Sequence, residues 1–151
     1  MTKVAIDTSV IIEYIDMKGE LHEQAKIIFS ALLTSKLEAI LPHPILVETY
    51  YVAARLYQKL KIENPQNVAS KLIEWLYRLS TTIIPSEDTN LAIETGKTKL
   101  NYGLALTDCY VLAASKMHNC KALFKKPEKE MLKKMEELKK EYQLLFLEDY
   151  K

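Results

Sequence analysis

A chain of 151 residues, 48% hydrophobic and 27% charged, has the composition of a globular domain and is too short for two ordinary ones. Its 21 lysines and arginines against 20 acids exclude bulk attraction to nucleic acid or anionic membrane, so a polyanionic partner has to be met by a local patch. No apolar stretch reaches the ~18 residues of a membrane span, and Asp7 falls where a signal peptide needs an apolar run. Cys109 and Cys120 stand outside any metal-ligand spacing. The expectation is a single cytoplasmic domain over residues 1–151 with both thiols reduced and buried.

In chain order, Lys3 to Ile6 reads as a strand, followed at once by the turn Asp7-Thr8-Ser9 and a short apolar helix through Tyr14. Gly19 breaks the chain, and Leu21, Ala25, Ile28, Phe29 and Leu32 then recur at helical spacing. Glu38 to Leu41 is the second strand, stopped by Pro42; Pro44 opens a helix to Leu60, and Pro65 opens another carrying Leu72, Trp75, Leu76 and Leu79 as core or dimer surface. Thr81 to Ile84 is β-branched and ends at Pro85. Ser86 to Thr89 starts a helix that Gly103 closes, and Thr107 caps the next, Asp108 to His118. Lys121 to Phe124 is a fourth strand, Pro127 to Lys140 a charged helix, and Gln143 to Leu147 a last strand. Short strands alternating with helices predict an α/β fold, with helices on both faces of a mainly parallel sheet of about five strands.

Such sheets bind ligands outside the carboxyl ends of their strands, where Asp7 falls. Aspartate supplies only five of the twenty acids. Asp88 reads as a helix start, Asp16 and Asp149 as solvent-facing, which leaves Asp7 and Asp108 to explain. Each has a plain reading as an acid favouring a helix N-terminus. Glu48 stands on or beside the apolar face of its helix, among Pro44, Ile45, Tyr51 and Val52, and its plain reading is an ion pair with Arg55. Taken together, three acids from separate elements repel one another unless a cation holds them, and oxygen-only ligands suit Mg²⁺ or Mn²⁺.

These residues carry a resemblance. Asp7-Thr8-Ser9-Val10-Ile11-Ile12 resembles the opening Asp-Thr-Asn/Ser motif of PIN-domain proteins, Glu48 the acid on the helix after their second strand, and Leu106-Thr107-Asp108 to Ala114 their third acidic motif. The resemblance spans essentially the whole chain and implies a single PIN-like domain, a three-layer α/β/α sandwich with a mainly parallel five-stranded sheet. It implies a metal-dependent endoribonuclease of the VapC toxin type, usually a homodimer, silenced by a cognate antitoxin. Asp7, Glu48 and Asp108 would hold Mg²⁺ or Mn²⁺, with Ser9 and Thr107 orienting the carboxylates or serving only as caps.

One departure stands out. Where the family has Thr-x-Asp after the fourth strand, this chain has Phe124-Lys125-Lys126, so Lys126 falls on the expected fourth acid. Glu128 or Glu130 can reach back, or act only as N-terminal acids of the charged helix. The segment from Lys121 to Lys140 holds eight lysines against four glutamates, and Lys125 and Lys126 fall where an RNA backbone would pass. The departure motivates a second reading, a degenerate PIN-like module that binds RNA or protein without cutting. A third, a phosphoacceptor receiver domain, wants several acids after its first strand and an Asp ending its third, and this sequence has neither.

Overall fold

Val4, Ala5 and Ile6 form a continuous apolar run instead of an alternation, as expected of a strand covered on both faces, and all three are buried. They belong to β1 (Thr2–Ile6), the central strand of a sheet ordered β3-β2-β1-β4-β5, in the computed structural model, which describes residues 1–151. Around β1 lie β2 (Leu37–Ile40), β3 (Thr82–Ile83), β4 (Lys121–Phe124) and β5 (Leu144–Phe146), and every pairing is parallel. The expected mainly parallel sheet is entirely so. Eight helices complete an α/β/α sandwich: α1 (Thr8–Ile15), α2 (His22–Leu33), α3 (His43–Lys59), α4 (Pro65–Arg78), α5 (Thr89–Tyr102), α6 (Leu106–Met117), α7 (Lys129–Lys133) and α8 (Met135–Glu141). A 3₁₀ turn, Leu147–Tyr150, ends the chain. No helix is long and apolar enough to cross a membrane.

The chain winds outward from β1 through β2 to β3, then returns by way of α5 and α6 to place β4 on the other side of β1. Strand order therefore reverses between β1 and β4, and their carboxyl ends flank the crevice where α/β sheets hold ligands. Register is set by Ile6 opposite Leu123, and the Asp7 amide donates to the Leu123 carbonyl at 2.9 Å.

Local chemistry explains most boundaries. Asp88 caps α5 by accepting from the Leu91 amide, and Gly103 ends that helix at φ +67°, a left-handed geometry that glycine alone adopts at no steric cost. Trp75 packs on the core, its ring 6.1 Å from that of Phe29, which stacks on Tyr14 at 4.1 Å. Cys109 and Cys120 are buried free thiols.

Two expectations fail here. The charged helix predicted from Pro127 to Lys140 is split into α7 and α8, because the Lys134 amide bonds back to Met131 three residues earlier and tightens the turn. Thr107 is not a cap either: α6 begins at Leu106, Ala105 takes the cap position with no side-chain bond, and Thr107 lies inside the first turn with its hydroxyl free to point elsewhere.

Candidate functional site

Asp7 leaves β1 with extended backbone and caps α1, so its carboxylate is fixed at the strand's carboxyl end. One oxygen, Oδ2, accepts from the Ser9 amide at 3.0 Å and the Ser9 hydroxyl at 2.6 Å. The other, Oδ1, is buried with no hydrogen-bond partner. A buried acceptor without a donor is costly, and a cation is the kind of group that would offset that cost. Ser9 therefore does more than cap: while donating to Asp7, its oxygen also accepts from the Lys125 amide at 3.0 Å, tying the β1–α1 turn to the loop after β4.

Glu48 reaches the same place from α3. Its Oε2 accepts from the Thr107 hydroxyl at 3.0 Å, so Thr107 orients the carboxylate. Arg55, offered as its ion-pair partner, instead lays its guanidinium over the Tyr51 ring at 5.1 Å. Asp108 stands in the first turn of α6 and is only 9% exposed. Asp7, Ser9, Glu48, Thr107, Asp108, Lys125 and Glu128 share the lining of one cavity of about 310 Å³. A smaller adjoining one of about 110 Å³ repeats Asp7, Ser9, Asp108, Lys125 and Glu128 and adds Lys126. Of the two late glutamates, Glu128 comes to the site, whereas Glu130 is exposed and pairs with Lys133 at 3.6 Å.

The acids feel one another. Burial pushes the Asp7 carboxyl from its ordinary 3.8 to about 6, against the pull of the Ser9 hydrogen bonds and with a further push from the Glu48 charge. Asp108 is pushed up to about 8, by burial first and then by the charges of Asp7, Glu128 and Glu48. Carboxylates that resist ionising when left to themselves form a site that a cation would stabilise. No group of three or more His, Cys, Asp or Glu side chains is already arranged to hold a metal ion. Mg²⁺ does not demand one, since it keeps several waters and takes one or two carboxylates. The unpartnered Asp7 oxygen and the all-oxygen donor set fit such an ion.

Three contributors escaped the sequence reading. Thr8 is buried and donates to the Ile45 carbonyl at 3.4 Å, while the buried Thr49 hydroxyl donates to Thr8 at 3.4 Å. This pair clips α1 to α3 one residue from Asp7 and one from Glu48. Glu13, 4% exposed, also lines the larger cavity. Its signal was legible: an acid among Ile11, Ile12, Tyr14 and Ile15, the same oddity that marked Glu48.

The sequence matches the PIN domain model over residues 4–145. The chain belongs to the PIN domain family. That membership removes the receiver-domain reading. Among curated proteins no sequence matches at a significant level. Solved structures share the PIN fold at low identity. FitAcB from Neisseria gonorrhoeae superposes with a TM-score of 0.65 at 17% identity, covering 95% of this chain and 97% of that one. VapBC2 from Rickettsia felis, solved with a DNA fragment from its promoter, gives 0.64 at 12% identity over 96% and 98%. VapC20 from Mycobacterium tuberculosis, a toxin that cleaves the sarcin–ricin loop, gives 0.62 at 13% identity over 79% and 86%.

Proposed function

We propose that this PIN-domain protein is a metal-dependent endoribonuclease and the toxin of a toxin–antitoxin pair. The observation that carries the reading is the convergence of Asp7, Glu48 and Asp108, from three separate elements, on one crevice with an unpartnered buried carboxylate oxygen. Toxins of the VapC type among the structures of the same fold support it.

Asp7, Glu48 and Asp108 would hold Mg²⁺ or Mn²⁺, with Glu128 at the rim. When bound, the ion polarises a phosphate oxygen and lowers the pKa of a coordinated water. In the hydrolysis, a water oxygen bonds to phosphorus and one bridging P–O bond breaks. The departing ribose oxygen keeps the electron pair and takes up a proton, while the attacking water loses one to solvent. The chain's own part is orientation. Ser9 engages Oδ2 of Asp7 and leaves Oδ1 without a protein partner, and Thr107 engages Oε2 of Glu48. Burial of Asp7 and Asp108 strengthens their grip on a cation. In this reading the protein acts in the cytoplasm, a cognate antitoxin and a second copy of the chain are its partners, and the whole of 1–151 works as one domain.

The test is cleavage of a mixed RNA pool by antitoxin-free protein in Mg²⁺ or Mn²⁺, beside Asp7→Asn and Asp108→Asn. Each variant should lose more than about 10²-fold in rate, and chelator should abolish the wild-type reaction. Wild-type protein that neither cuts nor binds either ion in calorimetry would overturn the reading and leave the degenerate binding module.

A further inference from the structure

Next to Lys126, which falls on the expected fourth acid, stands a lysine whose backbone and side chain are both tied down. Lys125 lines both cavities beside Asp7 and Asp108. Its backbone is held twice: its amide donates to the Ser9 hydroxyl oxygen at 3.0 Å, and its carbonyl accepts from the Glu148 amide at 3.0 Å. Its ammonium is held by Glu13, Nζ to Oε1 at 3.1 Å, with the glutamate side chain 5% exposed and the lysine 29%.

Glu13 is in turn seated in a socket built for it. Its second oxygen accepts from the Leu21 amide at 2.6 Å. The loop that supplies this amide passes so close that a Cβ on Gly19 would stand 2.8 Å from the carboxylate. A carboxylate this deeply buried needs partners for its oxygens, and the cation among them lines the crevice. An ammonium carries three donors; Glu13 takes one, and the 29%-exposed lysine side chain lines the cavity with the others available to a ligand. Lys126, by contrast, is exposed and has no such anchor.

Resting on the ribonuclease reading above, we propose that Lys125 is a substrate ligand that donates to a non-bridging oxygen of the scissile RNA phosphate, and that Glu13 is its positioning residue. A fixed positive charge thus stands at the edge of the acid crevice. Lys125 stabilises charge that develops on the phosphate and transfers no proton.

The experiment measures binding of a fluorescent single-stranded RNA oligonucleotide in chelator as a function of salt, and cleavage kinetics in Mg²⁺, for wild type, Lys125→Met, Lys125→Arg, Glu13→Gln and the surface control Lys133→Met. Loss of one phosphate contact should flatten the slope of log binding constant against log salt by about 0.7 in Lys125→Met and cut kcat/KM by about 10²-fold. Lys125→Arg should restore the slope and most of the rate. Glu13→Gln keeps the lysine charge but frees its side chain, so kcat should fall about 10-fold with the salt slope unchanged. A Lys125→Met variant that loses only thermal stability, with slope and kcat/KM at wild-type values, would overturn the proposal and make the pair structural. Wild-type protein that binds RNA but fails to cleave would count against the nuclease reading, while the slope comparison still decides whether Lys125 meets a phosphate.

Discussion

Asp108 and Asp7 differ from the other aspartates in what happens to them on folding. Both carboxyls are raised above the ordinary 3.8, to about 8 and about 6. An acid whose folded-state pKa is raised binds its proton more tightly in the folded protein. The stability this confers is complete below pH 4 and is lost as pH rises through 6 and then 8. Ion-free protein should therefore become steadily less stable between pH 4 and 8. Asp108→Asn removes the charge and keeps the shape, so it should raise the ion-free Tm at pH 8 by about 4–8 °C, equivalent to about 2 kcal/mol. Thermal melts over that range check the sign, and added Mn²⁺ should stabilise wild type most at the alkaline end, where its ligands are free of protons. If the variant melts at or below wild type at pH 8, these acids do not repel one another as the geometry requires.

Elements matter here through how their ends are joined. Asp7 is placed by being at once the first residue past β1 and the cap of α1, a role its neighbours Ile6 and Thr8 cannot share. Glu48, one turn into α3, depends on where that helix lies. The Thr8–Thr49–Ile45 clip fixes it. Thr8→Val keeps the volume but leaves the Thr49 hydroxyl buried without a partner, at a cost of about 1–3 kcal/mol. Urea unfolding should show that loss. Because the clip lies beside both acids, kcat should drop about 10-fold at temperatures where the variant is fully folded, and Thr8→Ser should recover both. The start of α6 teaches a related point. Thr107 has the residue type of a cap, and sequence rules assign it one. In the fold the helix begins two residues earlier, at Leu106, and the Thr107 hydroxyl donates to Glu48 instead.

Across the whole molecule, the C-terminal 3₁₀ turn braces the crevice from behind. The Glu148 amide holds the Lys125 carbonyl at 3.0 Å, Gln24 donates to the Tyr150 carbonyl at 3.3 Å, and Lys151 pairs with Glu20 at 2.5 Å. Since the last two contacts are exposed, they add little stability. Deleting residues 148–151 should thus leave Tm within about 2–4 °C of wild type yet lower RNA cleavage several-fold by loosening the loop that carries Lys125; parallel melting and rate measurements separate the two effects. The strand segments, the helical segments and the three acids were readable in the chain because periodicity, proline and glycine punctuation, and misplaced carboxylates are local signals. What local signals could not contain is which strands become neighbours. Only the return of the chain to set β4 against β1 brings Lys125 to Asp7, 118 residues apart in sequence, and only the loop over Gly19 turns Glu13 from an ordinary helix acid into the lysine's anchor. The sequence alone determined the fold class and the acids available to it; the tertiary structure decided their partners, because hydrogen bonds and charges act over a few ångströms of space and take no account of distance along the chain.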